Sequence, residues 1–430
     1  MEMKNRRDFI GQGIKAALMF TAGQHWLTST YGSVKNNSKL KVVNPYEGIN
    51  WSSVQHIPSA THVHITNQEK LDKIVNQFKL RHIPISNYYP SAPYYPADSI
   101  RENQFIVKQD FQVMYNSDTT KKGRARWEDA KSMKGPFDWN NIMSNKNSGW
   151  ASTLPEEQRK QLPFKLGGKV FPNIPKDVII SPNAEHHSFT NTSLHANAIG
   201  SMYSSGTFDA RNRFGTYDHG YNYGTGLPWQ DVFKKMIEQL LFADAGGVTI
   251  NHPVWSSLSF EDVCRMLDFD ERVLGIEVFN DTCYTAFGDP TKGWALKLWD
   301  QVLATKRRCL GFFVPDHTVG LGRNILLVSK FDEHECLRAY RRGAFYGAIQ
   351  GSGLAFDKID LQGNILQVAI NKPGRIRVVA DSGEPTVIDQ RNLSFQIPLN
   401  PDGSAKISYL RIEASDESSE QIFSQPIYFS

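Results

Sequence analysis

Two rhythms of apolar and polar positions organise this chain. In the first, strand alternates with helix. Ala60-Thr61-His62-Val63-His64-Ile65 reads as a strand, and Leu71, Ile74, Val75 and Phe78 then fall at helical spacing. Further on, Val232, Phe233, Met236, Ile237, Leu240 and Leu241 stripe a helix that stops at Gly246-Gly247, after which Val248-Thr249-Ile250 is a short strand. Ser259 to Leu267 predicts a capped helix, Leu274 to Phe279 a strand, Gly293 to Ala304 a helix, and Cys309 to Val314 another apolar strand. This alternation predicts an α/β fold in which parallel strands are wrapped by helices, as in a barrel.

The second rhythm starts after a helix at Asp332 to Tyr340 that Gly343 ends. Short apolar runs at Ile365–Ile370, Ile376–Ala380, Leu393–Leu399 and Ile407–Glu413 are separated by turn residues such as Asp381-Ser382-Gly383 and Pro401-Asp402-Gly403. That texture predicts an antiparallel β module. Between about 88 and 180 periodicity fades into a stretch rich in Tyr, Pro, Asn, Lys and Trp, read as a long insertion that is either a lid or a decoration. The expected layout is a signal at 1–26, a polar linker at 27–47, a main α/β domain at 48–350 carrying that insertion, and the β module at 351–430.

Composition narrows the class. Over 430 residues, 40% hydrophobic and 21% charged content are those of a folded chain with a sizeable core. A net charge of +4 from 48 basic and 44 acidic residues, without a basic stripe, argues against nucleic acid as a partner and leaves room for a small anionic substrate. Cys264, Cys283, Cys309 and Cys336 stand singly, as small core residues or in at most two disulfides. At the N-terminus, Lys4-Asn5-Arg6-Arg7-Asp8-Phe9-Ile10 before Ala16 to Ala22 is similar to a twin-arginine export signal, with Asn5 and Lys15 as departures. Export, with a periplasmic destination and no stable membrane anchor, is the expectation; the apolar run is shorter than the ~20 residues a span needs.

Chemistry enters at His62-Val63-His64. Residues two apart in a strand point to the same side, so both imidazoles can reach one metal ion. Alone the pair is a weak signal, since two histidines in a half-buried strand are more often structural. Four later positions at the ends of apolar runs add to it: Glu185, His195, His252 in Ile250-Asn251-His252-Pro253, and Asp316 in Val314-Pro315-Asp316-His317. Each alone has a plain structural account. Together they supply four histidines and two carboxylates near strand ends, where barrels and open sheets place their sites.

The order H-x-H, Glu, His, N-H-P after Gly-Gly, a further strand Glu and a late Asp with His resembles the PHP (polymerase and histidinol phosphatase) phosphoesterase superfamily, over residues 58–325. Its most specific stretches are Gly246 to Pro253, and Trp299 to Leu303 running into Gly311 to His317. The resemblance implies a distorted seven-stranded (β/α) barrel followed by a small antiparallel β domain. It also implies two divalent metal ions, zinc, manganese or iron. His62, His64, Glu185 and Asp316 would hold one, and Glu185, His195 and His252 the other, with Glu185 as the bridge.

Two departures alter that picture. Tyr88 stands where the family has a histidine, and Thr66-Asn67-Gln68 lacks the early acid, so a third metal site is expected to be weak or lost. Asp316 and His317 are adjacent where the family has D-x-H; Asp316 is taken as the ligand, with His317 behind it or facing substrate, and a bulge presenting both is the alternative. In Glu185-His186-His187 the extra imidazoles could compete with His195. Glu277 either orients a ligating imidazole or is a buried acid satisfied by backbone. Arg211, Arg213, Arg323, His219 and Tyr88 are the candidates to face substrate, and His317 and His219 the candidates to protonate a leaving oxygen.

The implied activity is phosphoester hydrolysis by metal-activated water, with no covalent intermediate. Two rivals remain: a metal-dependent hydrolase of a non-phosphate ester or amide, and a non-catalytic metal- or carbohydrate-binding protein with a degenerate site.

Overall fold

The computed structural model of the protein describes residues 40–65, 68–86, 173–187, 189–201, 228–286, 288–349, 351, 353–382 and 385–430. The first strands are β1 (Val42–Val43), β2 (Gln55–Ser59), β3 (His82–Pro84), β4 (Ile179–Ser181), β5 (Glu185–His186) and β6 (His195–Ile199). They are followed by β7 (Gly247–Asn251), β8 (Val273–Asn280), β9 (Leu310–Val314), β10 (Gly322–Val328) and β11 (Phe345–Ile349). The C-terminal strands are β12 (Phe356–Gln362), β13 (Ile365–Ile370), β14 (Arg375–Ala380), β15 (Thr386–Ile388), β16 (Asn392–Gln396), β17 (Tyr409–Ser415), β18 (Gln421–Ser424) and β19 (Ile427–Phe429). Among the described residues the α-helices are α1 (Gln68–Asn76), α2 (Trp229–Glu238), α3 (Phe260–Leu267), α4 (Asp281–Thr285), α5 (Leu296–Ala304) and α6 (Glu333–Arg342).

Local chemistry sets most of these boundaries. Ser259 caps α3 by accepting from the Asp262 amide while Asp262 accepts back from the Ser259 amide, a reciprocal capping box. Asp332 caps α6 through the Glu335 amide, and Gly343 ends it at φ +78°. Gly246 turns the chain into β7 at φ +68°, where an added Cβ would stand 2.2 Å from the Ile199 carbonyl oxygen. The four cysteines are buried and unpaired, as small core residues. No helix among the described residues is long and apolar enough to cross a membrane.

The strands form a mixed α/β, strand-rich fold of eleven-, five- and three-stranded sheets, none of them a closed barrel. Among the described strands, the parallel ladders expected throughout the first rhythm are confined to β2-β3-β4 and β7-β8-β9. β5, β6 and β7 instead run antiparallel. The five-stranded sheet packs on α2, α3 and α5 through Phe233, Val263, Trp299 and Val302.

Between β4 and β5 the ladder is interrupted, and side chains stitch the gap. Asn183 Nδ2 donates to the carbonyls of Thr61 at 2.7 Å and Pro84 at 3.1 Å, and Asn197 Nδ2 donates to Thr61 at 2.6 Å. On the other side Val63 bridges Asp316 in parallel register. The segment after β2 therefore touches both arcs of strands.

The second rhythm folds as expected, every strand after 350 pairing antiparallel. The sheet does not stop at that boundary, however: β18 pairs with β11, so the C-terminal strands extend the eleven-stranded sheet. Gln425 reaches β9 with both ends of its amide, at 2.8 Å from Gly311 N and 2.8 Å from Gly311 O. The buried Arg411 grips Asp300 of α5 at 2.8 and 2.9 Å. Residues 40–47, expected as the end of a linker, belong to the fold. β1 pairs with β19, and the buried Tyr46 donates to the Phe345 carbonyl at 2.9 Å while accepting from the Gln425 amide at 2.6 Å. A polar composition conceals one aromatic anchor with a satisfied hydroxyl.

Candidate metal centre

His62 and His64 lie beyond the end of β2, not inside a strand at 60–65 as the apolar run predicts. The backbone there is held by other means. Ser86 N donates to Val63 O at 2.9 Å, Asp316 N donates to His62 O at 2.9 Å, and His64 N donates to Asp316 O at 3.2 Å. Val63 and Ile65 sink into an apolar cluster with Leu71 and Ile74, which turns the two imidazoles to the opposite side. Glu185 opens β5 and His195 opens β6. Because β6 runs antiparallel to β7, with His195 opposite Asn251, the start of β6 and the end of β7 meet. His252 follows at φ +24° and Asp316 sits just past β9 at φ +59°, both outside the usual range for such residues.

Thr282, in α4, accounts for the second of these bends. Its hydroxyl donates to Pro315 O at 3.0 Å and accepts from the amides of His317 at 2.9 Å and Thr318 at 3.2 Å, which folds the loop around Asp316.

Four atoms converge. His62 Nε2 lies 3.2 Å from His64 Nε2, 3.3 Å from Glu185 Oε2 and 3.2 Å from Asp316 Oδ1. His64 Nε2 is 3.1 Å from Glu185 Oε2 and 3.3 Å from Asp316 Oδ1. Four donors set at about 2.0–2.2 Å around one tetrahedral centre would stand roughly 3.3–3.6 Å apart, so the spacing is close to that of a single cation, at its short end. Neither Glu185 Oε2 nor Asp316 Oδ1 accepts a well-aligned hydrogen bond, although both are sealed from water. Buried carboxylate oxygens so placed are costly without a partner, and a cation would supply one.

A second group adjoins the first: the other Glu185 oxygen, Oε1, lies 2.8 Å from His195 Nδ1 and 3.4 Å from His252 Nε2. Both groups are combinations able to hold a metal ion. Behind them, Glu277 Oε1 is 2.7 Å from His62 Nδ1, while its Oε2 accepts from the His252 amide at 2.8 Å and from Asn280 Nδ2 at 2.9 Å. A proton on His62 Nδ1 leaves the Nε2 lone pair facing the cluster. Glu277 thus meets an imidazole and the backbone at once. Asn280 Nδ2 also reaches Asp316 Oδ2 at 3.1 Å, tying the two acids together.

The electrostatics favour positive charge. Burial alone disfavours a protonated His62, but Asp316, Glu185 and Glu277 outweigh it and hold the imidazole well above its ordinary value. Burial likewise opposes charge on Glu185 and Asp316, yet His62 and their other imidazole neighbours keep both carboxyls well below the usual range.

The remaining candidate residues fall into three sets. His317 stacks on His64, with ring centroids 4.0 Å apart and planes 5° from parallel. Burial and the neighbouring His64 push its imidazole down to about 3. Arg323 directs its guanidinium to the carbonyls of Phe78, at 3.0 Å, and Gly351. Tyr88, Arg211, Arg213 and His219 lie outside the described residues. His186 and His187 join none of the three metal-capable groups among the described residues, the third being His62, His252 and Glu277. Sequence reasoning missed Asn280 and Thr282. Asn280 closes an apolar strand three residues after Glu277, a visible position whose link to Asp316 is not.

No family model matches the chain, and no curated protein matches it. Among solved structures it is similar to a two-domain protein from Bacteroides vulgatus described as containing a predicted PHP-like metal-dependent phosphoesterase. The identity is 10%, with 89% of this chain and 96% of that chain covered and a TM-score of 0.37. A likeness that loose fixes neither the fold nor the activity of this chain.

Proposed function

We propose that this chain is a metal-dependent hydrolase acting on phosphoesters at a dinuclear centre, with 48–350 folded as a distorted barrel of the PHP type. The observation that supports it most is the convergence of His62 Nε2, His64 Nε2, Glu185 Oε2 and Asp316 Oδ1 within 3.3 Å contacts, with the two carboxylate oxygens buried and without well-aligned donors. The carboxylate of Glu185 faces the first group with one oxygen and His195 and His252 with the other, as a bridge between two ions would. Divalent ions held there would polarise the substrate and make a water a stronger nucleophile near neutral pH. The protein holds the His62 imidazole in one tautomer through Glu277, keeps Asp316 aimed inward through Thr282 and Asn280, and shields most of the ligating atoms from bulk water. Preference for phosphoesters comes from the sequence resemblance.

The test is metal content by mass spectrometry together with hydrolysis of aryl phosphates and phosphodiesters under added zinc or manganese. Two ions per chain and activity are expected, with Glu185→Gln losing metal and at least about a thousandfold in rate. Less than one ion per chain in metal-replete medium would sink the dinuclear reading, and activity confined to carboxylic esters or amides would replace the phosphoester one.

A further inference from the structure

The open side of the centre is visible in what remains accessible. His317 is 36% exposed and His195 18%, whereas His62, His64, Glu185, His252 and Asp316 are nearly sealed. A ligand therefore approaches across a rim with His317 at one edge and His195 at the other. Trp255 lines the His195 edge, its ring set edge-on to His252 at 4.9 Å and to His195 at 5.5 Å.

Lys70, in the first turn of α1, comes to the His317 edge. Its Nζ donates to the His317 carbonyl oxygen at 2.7 Å; burial pulls its pKa down to about 8, above neutrality, and the Asp316 carboxylate opposes that fall. This fixes an ammonium beside the open rim instead of leaving it on a free side chain in water. Balance of charge gives it a use. The acids Glu185, Asp316 and Glu277 already offset most of the charge that two divalent ions bring, so the loaded centre would be only weakly positive. A phosphoryl group with two negative charges gains from another cation at the edge; a neutral ester or amide does not.

We propose that Lys70 is a specificity residue that grips the anionic group of the substrate, making the centre selective for phosphomonoesters over neutral esters and amides. The proposal rests on the metal-dependent hydrolase reading above. Lysine suits the task as a point charge with rotatable donors.

The experiment uses the metal-loaded full chain and measures KM for p-nitrophenyl phosphate, inhibition by inorganic phosphate, and hydrolysis of p-nitrophenyl acetate. Lys70→Gln should raise KM and weaken phosphate inhibition about 10- to 100-fold, the loss of one charge-assisted hydrogen bond. Metal content and acetate hydrolysis should be unchanged, and Lys70→Arg should recover most of the phosphate affinity. Unchanged phosphate inhibition in Lys70→Gln, or equal losses on phosphate and acetate, would overturn the proposal and leave Lys70 as a support for His317. If the Gln variant loses metal, the Arg variant decides: phosphate affinity near wild type supports the role, and loss with metal retained overturns it. A wild type that holds metal but neither cleaves the phosphate nor binds the anion would overturn the hydrolase reading itself, and the proposal with it.

Discussion

His62 and His82 are equally sealed from water, each with no exposed surface, and they sit in opposite fields. His82, on β3, meets only neutral hydroxyls, with Nδ1 3.0 Å from Ser59 Oγ and Nε2 2.9 Å from Ser181 Oγ. Tyr340 completes the chain by donating to Ser59 Oγ at 2.6 Å. Both ring nitrogens are satisfied, and burial pushes the imidazole down to about 3. His62 faces three carboxylates and is driven the other way. Burial alone therefore does not distinguish a structural histidine from one in a metal-capable group. What marks the centre is surplus negative charge together with carboxylate oxygens that no donor satisfies.

The contrast breaks most visibly under chelation. Stripping metal should lower wild-type stability by about 4 kcal/mol when free metal had stood at about a thousand times Kd. His62→Gln should barely respond to the chelator, while His82→Gln should keep the full response; thermal melts with and without chelator decide it. A wild type indifferent to chelation would erase the distinction between the two histidines.

A smaller effect belongs to the acid behind the ligands. Glu277→Gln leaves a hydrogen-bonding group beside His62 but removes the charge that fixes its tautomer, and metal affinity should fall about 10- to 100-fold. Titration calorimetry with zinc or manganese reads this directly, and an unchanged affinity would demote Glu277 to a structural acid.

Acid separates the histidines from the other side. The folded pKa of His82 lies below the ordinary 6.5, so the unfolded chain takes up its proton first. The stability it contributes is complete above about 6.5 and is lost as pH falls toward 3, amounting to about 2 kcal/mol by pH 5. His82→Gln should show a shallower loss between pH 7 and pH 5 in denaturant titrations of the metal-free protein. Parallel curves for the two proteins would show that His82 is not held neutral.

Much of the fold was legible because its signals are local. The α3 capping box, the Gly343 stop on α6 and the alternation at Ile365–Ile370 each depend on a few neighbouring residues. Strand direction was not legible in the same way. The antiparallel turn from β5 through β6 to β7 has no signature in apolar spacing, which reports burial and not orientation. Tyr46 was hidden for a related reason, since one buried aromatic in a polar stretch does not alter its periodicity.

What the sequence by itself determined is a set of candidate donors and their order: His62, His64, Glu185, His195, His252, Asp316 and the acid Glu277. Side-chain chemistry and short spacing suffice for that. The tertiary structure decided which atoms meet and what surrounds them. Glu277 reaches His62 across 215 residues, and Lys70 reaches His317 across 247. Contacts so distant depend on how sheets and loops close. Orphaned carboxylate oxygens, the bend at Asp316 and an ammonium at the rim exist only once that closure has set distances to within an ångström.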